Sequence, residues 1–180
     1  MQKGVFDMNE VIQCLTGRQS VKQYRPEQIR PEELDAIVTA GTYAPSGMGR
    51  QPCRIVVLQK KEDIAELEKL NAAILGNPDA HPFYGAPTVC VVLADAGVNT
   101  AVEDGSLVLG NMLNAAHSLG VGGCWIHRAR EEFQMPEGKA LLKKWGLEDH
   151  YIGIGHCILG YAARQPAPAK PRKADFVVRV

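Results

Sequence analysis

The sequence predicts one mixed domain, α/β or α+β, with helices outnumbering strands. Three observations carry this expectation. A chain of 180 residues suits one domain. Apolar runs at 53–59, 88–94 and 151–161 read as buried strands. Helical apolar spacing fills the stretches between them, the pattern of strands layered against helices. With 46% apolar and 22% charged residues the balance is globular, and a chain of this length buries a core without disulfide or metal staples.

Each element follows from its residues. Met8, Val11, Ile12 and Leu15 share one helical face, and Gly17 marks a stop. Residues 31–43 read as a helix with Pro31 at its first position and Glu32 and Glu33 in its first turn; Leu34, Ile37 and Val38 face inward. Ala44-Pro45-Ser46-Gly47 breaks it. CRIVVLQ at 53–59 is a buried strand, and 61–75 an amphipathic helix with Ile64, Leu67 and Leu70 inward. TVCVVLA at 88–94 is the strongest strand signal. Residues 99–119 form a long helix dominated by Val102, Leu109, Met112, Leu113 and Ala116; Leu107 and Val108 broaden its apolar surface, as in a core or an interface. A short helix at 138–145 precedes a third strand, YIGIGHCILGY, at 151–161. The tail from 164 to 180 is rich in proline and cations and ends β-like, suited to adding an edge strand to a partner's sheet.

Several function classes are excluded. Twenty Lys and Arg balance twenty Asp and Glu, against the basic excess of a nucleic-acid binder and against a membrane surface or an acidic tail. Five cysteines, odd in number, widely spaced and without CxxC, fit a reducing cytoplasm rather than a secreted disulfide framework. The N-terminus has no long apolar region of a signal peptide, and no apolar run approaches the ~18 residues of a membrane span. Gly120-Val121-Gly122-Gly123 and Gly153-Ile154-Gly155 both lack the third glycine of a dinucleotide fingerprint. GxxxxGK[ST], HExxH and GxSxG are absent. His117, Cys124 and His127 match no zinc spacing, so no metal site is expected. His156 and Cys157 are neighbours on a strand and face opposite ways, which makes Cys157 a structural thiol rather than a nucleophile.

Two segments carry chemistry. Gly17 to Tyr24 offers the guanidinium of Arg18, the amide of Gln19, the hydroxyl of Ser20 and the ammonium of Lys22. That set suits a phosphate or a polar ligand edge, and by itself it also fits a solvated basic turn. Ala44 to Pro52 is a small, rigid loop whose backbone amides and Ser46 hydroxyl stay open to a flat ligand; by itself it also fits an ordinary helix-to-strand turn.

Together and in this order, the motifs resemble those of the FMN-dependent nitroreductase family. They are Arg18-Gln19-Ser20-Val21-Lys22, the Pro-Ser loop with Gln51-Pro52, Phe83-Tyr84-Gly85-Ala86-Pro87, Gly120-Val121-Gly122-Gly123-Cys124-Trp125-Ile126, Leu159-Gly160-Tyr161 and a basic tail. The resemblance spans almost the whole chain. Two positions depart from the family: Gly49 stands where relatives carry Asn, and Cys53 where they carry Trp.

The resemblance implies an α+β sandwich with a central, mostly antiparallel sheet. It implies a homodimer with shared active sites, a single unit over 1–180, and residues 164–180 crossing to the partner. It also implies an NAD(P)H oxidoreductase that passes hydride through FMN to nitroaromatic, quinone or enone acceptors by a ping-pong mechanism, with no catalytic side chain of its own. Arg18, Gln19, Ser20 and Lys22 are the expected holders of phosphate, ribityl chain and pyrimidine edge, with Lys170 and Arg172 on the phosphate and Asn71 at the pyrimidine. Pro45, Ser46 and Gly47 are expected against the ring from the partner subunit, and Trp125, Ile126 and His127 along its other face. Met48, Phe83 and Tyr84 are expected to line the acceptor pocket. The alternatives are a specialised flavin enzyme of the same fold, for flavin destruction or dehalogenation, and a non-catalytic flavin-binding protein.

Overall fold

A computed structural model describes residues 9–167 and 169–180. Six helices and four strands follow the chain in the order α1 (Glu10–Gly17), α2 (Pro31–Thr42), β1 (Cys53–Leu58), α3 (Lys61–Ile74), β2 (Thr88–Asp95), α4 (Ala101–Ser118), β3 (Gly122–Ile126), α5 (Ala129–Glu132), α6 (Pro136–Lys144) and β4 (Tyr151–Gly160). Local chemistry sets the helix starts. Asn9 caps α1, its Oδ1 accepting from the Ile12 amide at 3.0 Å. Proline opens both α2 and α6, where its missing N–H leaves no helical bond unmade. Met8, the first residue of the expected apolar stripe, lies outside the described residues.

The strands form one antiparallel sheet in the order β1-β2-β4-β3. Central strands are buried on both faces, which explains why β2 and β4 read as continuous apolar runs. Along β2, Val89, Val91 and Leu93 join a core with Leu67 of α3, Phe133 and Leu142. Cys90, Val92 and Ala94 join the opposite core with Ile37 of α2 and Leu109 and Met112 of α4. The result is a sheet sandwiched between helical layers, the expected α+β architecture. A bulge opposite Val92 and Leu93 leaves Ile154 of β4 unpaired.

The strands expected at 53–59, 88–94 and 151–161 are β1, β2 and β4. Two features were not anticipated. The Gly-rich stretch 122–126 is itself an edge strand, and α5 is a single turn behind it. On α4 the inward face differs from the expectation: Val102 is 42% exposed while Val108 is buried. Among its described residues the tail forms no strand within this chain, and Phe176, Val177, Val178 and Val180 are exposed. Among the described residues no helix is long and apolar enough to cross a membrane.

Candidate functional site

Residues 18–25 leave α1 extended and run along the open edge of β3. Ser20 bridges Gly123, and the Val21 amide donates to the Gly123 carbonyl at 3.1 Å. Further on, Tyr24 bridges Ala162 and the Arg25 amide donates to the Tyr161 carbonyl at 2.9 Å. Side chains alternate along such a segment. Val21 is buried, while Ser20 and Lys22 point the other way into a cleft of about 340 Å³ shared with Trp125, Ile126 and His127. Residues about a hundred positions apart thus form one wall. Arg18 and Gln19 line a separate pocket with Gly120–Gly123, Gln165 and Pro166, and a third cavity, lined by residues 19–23 and 164–167, shares residues with both.

Trp125 is 37% exposed and lies directly over Gly155; a Cβ there would meet the indole Nε1 at 2.6 Å. The Gly155 position therefore lets a flat ring settle on the sheet. Tyr84 also lines the cleft, with the Lys22 ammonium 5.5 Å from its ring centroid.

Four non-glycine residues adopt left-handed backbone among the described residues: Met48, Gln51, Tyr84 and Arg128. Such conformations cost energy and concentrate where geometry serves a site. Tyr84 and Arg128 line the cleft, while Met48 and Gln51 belong to the Pro-Ser loop.

The Pro-Ser loop sits at the opposite sheet edge, before β1. Its shape is held by a residue that sequence reasoning missed. Buried Asp104 of α4 accepts from the Gly47 amide and from the Thr100 hydroxyl, each at 2.9 Å. Gly47 lies so close to Thr100 that a Cβ would fall 2.5 Å from its Oγ1. Ser46 Oγ accepts from the Gln51 amide at 3.0 Å, and Met48 projects into solvent. Gly49 has φ +67° with open space around it. Asparagine tolerates that backbone better than most residues, so the Asn-to-Gly departure preserves the turn and removes only the amide. Within one chain, Pro45, Ser46 and Gly47 do not meet the cleft.

Two expected positions are corrected. Asn71 is fully buried, so it is absent from the cleft surface. Its amide donates to the His127 carbonyl at 2.9 Å and to Glu132, and its Oδ1 accepts from Arg128 Nε at 2.9 Å. Phe83 is also buried, its ring 5.1 Å from that of His156, and belongs to the core. Behind the cleft, His156 Nε2 stands 2.8 Å from Glu132 Oε2 with both side chains fully buried. Lys170 and Arg172 lie on the exposed tail; neither lines the cleft nor pairs with an acidic side chain among the described residues.

The chain is neutral overall, yet these three cavities are not. Arg18 lines the first, Lys22 and Arg164 the second, Lys22 and Arg128 the cleft beside Trp125, and no acidic side chain lines any of them among the described residues. Three of the thiols are unsuited to nucleophilic work. Burial pushes Cys90 up to about 12 and Cys157 well above the ordinary thiol range. Burial, followed by the Asp104 charge, raises Cys53 to about 11.

Comparison with known proteins follows the same lines. A model of the nitroreductase family matches residues 15–161. The FMN reductase [NAD(P)H] of Bacillus subtilis is 28% identical over 190 residues, covering 92% of this chain and 70% of that protein. An FMN-bound nitroreductase structure from Bacteroides fragilis superposes with a TM-score of 0.89 at 30% identity, covering 96% of this chain and 100% of the other. A second, from Desulfitobacterium hafniense and also with FMN, gives 0.87 at 28% identity, covering 96% and 99%.

Proposed function

The chain belongs to the nitroreductase family, and on that premise we propose that it is an FMN-dependent oxidoreductase passing hydride from NADH or NADPH to nitroaromatic, quinone or enone acceptors. The observation that carries this reading is the convergence of Ser20 and Lys22 with Trp125, Ile126 and His127 on one cleft. The donor set fits the cofactor. Arg18, Ser20 and Lys22 offer two cations and a hydroxyl for a phosphate dianion and a polar chain. Trp125 over Gly155 offers a planar floor for a tricyclic ring.

FMN, when bound, supplies the hydride chemistry at its N5. The protein holds, orients and shelters. Arg18 marks the phosphate end of the site and Trp125 the ring end, with Gln19, Ser20 and Lys22 between. The left-handed Arg128 backbone sets the course of the chain past the ring edge. Cys90 and Cys157 stay buried in the core and take no part.

A second copy completes the site in this reading. Pro45, Ser46 and Gly47 lie at the far sheet edge, so the loop reaches a ring only from a partner. The exposed apolar residues support such an assembly: Val11 and Leu15 on α1, Leu107 on α4, and Phe176 to Val178 on the tail. The tail, unpaired within one chain, is the natural crossing segment and carries Lys170 and Arg172 toward the phosphate.

Initial rates test the mechanism. With donor varied at several acceptor concentrations, double-reciprocal plots should give parallel lines, because donor leaves before acceptor enters the same pocket. Intersecting lines would mean that both substrates bind together and would overturn the ping-pong reading.

A further inference from the structure

Arg128 is unexplained by the cofactor alone. It occupies left-handed backbone, φ 79° and ψ 1°, where arginine is disfavoured. Its Nε is pinned at 2.9 Å by Asn71 Oδ1. Asn71 is in turn fully buried and held by Glu132 and the His127 carbonyl, and Glu132 is closed off from behind by His156. This stack fixes one edge of the guanidinium and leaves its two terminal nitrogens without a partner among the described residues. Arg128 itself lines the cleft, together with Tyr84 and Trp125. Lys22 and His127 line the same cavity and no carboxylate does. A planar fork held rigid and lacking a counter-ion is the geometry for a planar oxyanion.

We propose that Arg128 is the specificity residue of this cleft and that the preferred acceptor carries a carboxylate. The proposal rests on the oxidoreductase reading above. Arg18 lines a different pocket, where the phosphate is assigned, so a fork in the cleft beside Trp125 is free for the substrate that stacks there. Asn71 and Glu132 are positioning residues that aim it.

The test compares 4-nitrobenzoate with 4-nitrobenzamide, equal in shape and differing in charge, using FMN-loaded protein and NADH. Arg128→Gln should lower kcat/KM for the carboxylate about 10- to 100-fold, the worth of a lost charge-assisted hydrogen bond, and change that for the amide less than about 3-fold. Arg128→Gly should lose the same selectivity while keeping the left-handed backbone, which glycine adopts readily. Arg128→Lys should fall between, keeping charge but not the fork. Quenching of tryptophan fluorescence by 4-nitrobenzoate gives a binding readout independent of turnover: saturable in wild type and weakened to the same degree in Arg128→Gln. Equal losses for both acceptors would overturn the proposal. So would loss of FMN from the variants, which would make Arg128 a cofactor ligand, or a change confined to NADPH over NADH, which would assign it to the donor's phosphate. A protein that takes up no FMN would sink the oxidoreductase reading, while the fluorescence titration would still decide for or against the anion site.

Discussion

Asp104→Ala is the most informative single perturbation of the candidate site. The carboxylate is buried and accepts two hydrogen bonds at 2.9 Å, one from the Gly47 amide and one from the Thr100 hydroxyl. Hydrogen bonds to charged groups contribute about 1.5–3 kcal/mol each, and an acid in the first turn of α4 adds roughly 0.3–1 kcal/mol through the helix dipole. Removing the carboxylate also relieves its desolvation, so the net loss is about 3 kcal/mol. For a chain of this size that lowers Tm by about 6–12 °C. Asp104→Asn keeps one acceptor for Gly47 and loses the charge, and should cost about half. Two local readouts locate the damage. Hydrogen exchange over 46–51 should accelerate, and Cys53, whose thiol is raised partly by the Asp104 charge, should alkylate faster at pH 9. A melting temperature within about 1 °C of wild type would refute the magnitude. A large loss with unchanged exchange over 46–51 would refute the claim that Asp104 clamps the Pro-Ser loop.

Other expectations are independent of that one. The Arg30 side chain, with the Tyr161 hydroxyl and the Arg30 amide, holds the Glu33 carboxyl down from its ordinary 4.5 to about 2. A depressed carboxyl contributes stability that is present above about pH 4.5 and lost as pH falls toward 2. Urea midpoints of wild type should therefore fall more steeply between pH 5 and 3 than those of Glu33→Gln; parallel curves would contradict this. Arg18→Ala should weaken FMN binding about 10- to 100-fold in a fluorescence titration, having lost a charge-assisted phosphate contact; unchanged affinity would misplace the phosphate. Deletion of 174–180 should raise the dimer dissociation constant measured by sedimentation, whereas an equally stable truncated dimer would remove the tail from the interface.

The parts legible in the sequence were those with strong local signals. β2 announced itself because a central strand buried on both faces is apolar throughout, and α2 because Pro31, Glu32 and Glu33 mark a helix start. The segments 18–22 and 125–127 were recognised as motifs, but their meeting at one cleft is a property of the sheet order, which no local pattern encodes. β3 was missed because Gly122 and Gly123 carry no strand propensity; it forms only against β4. Asn71 and Phe83 were misplaced for a related reason. Residue type suggested a ligand contact, while burial, set by α3 and the sheet together, turned one toward Glu132 and Arg128 and the other toward His156. Asp104 and Arg128 escaped notice because their roles lie in a distant backbone amide and in a backbone angle.

The most direct measurement is the visible absorption spectrum of the purified protein, taken anaerobically with FMN offered if it emerges colourless. The account predicts a bound flavin band that bleaches on adding NADH or NADPH and returns on adding a nitroaromatic or quinone. A protein that takes up no flavin, or whose flavin neither nicotinamide bleaches, would contradict it.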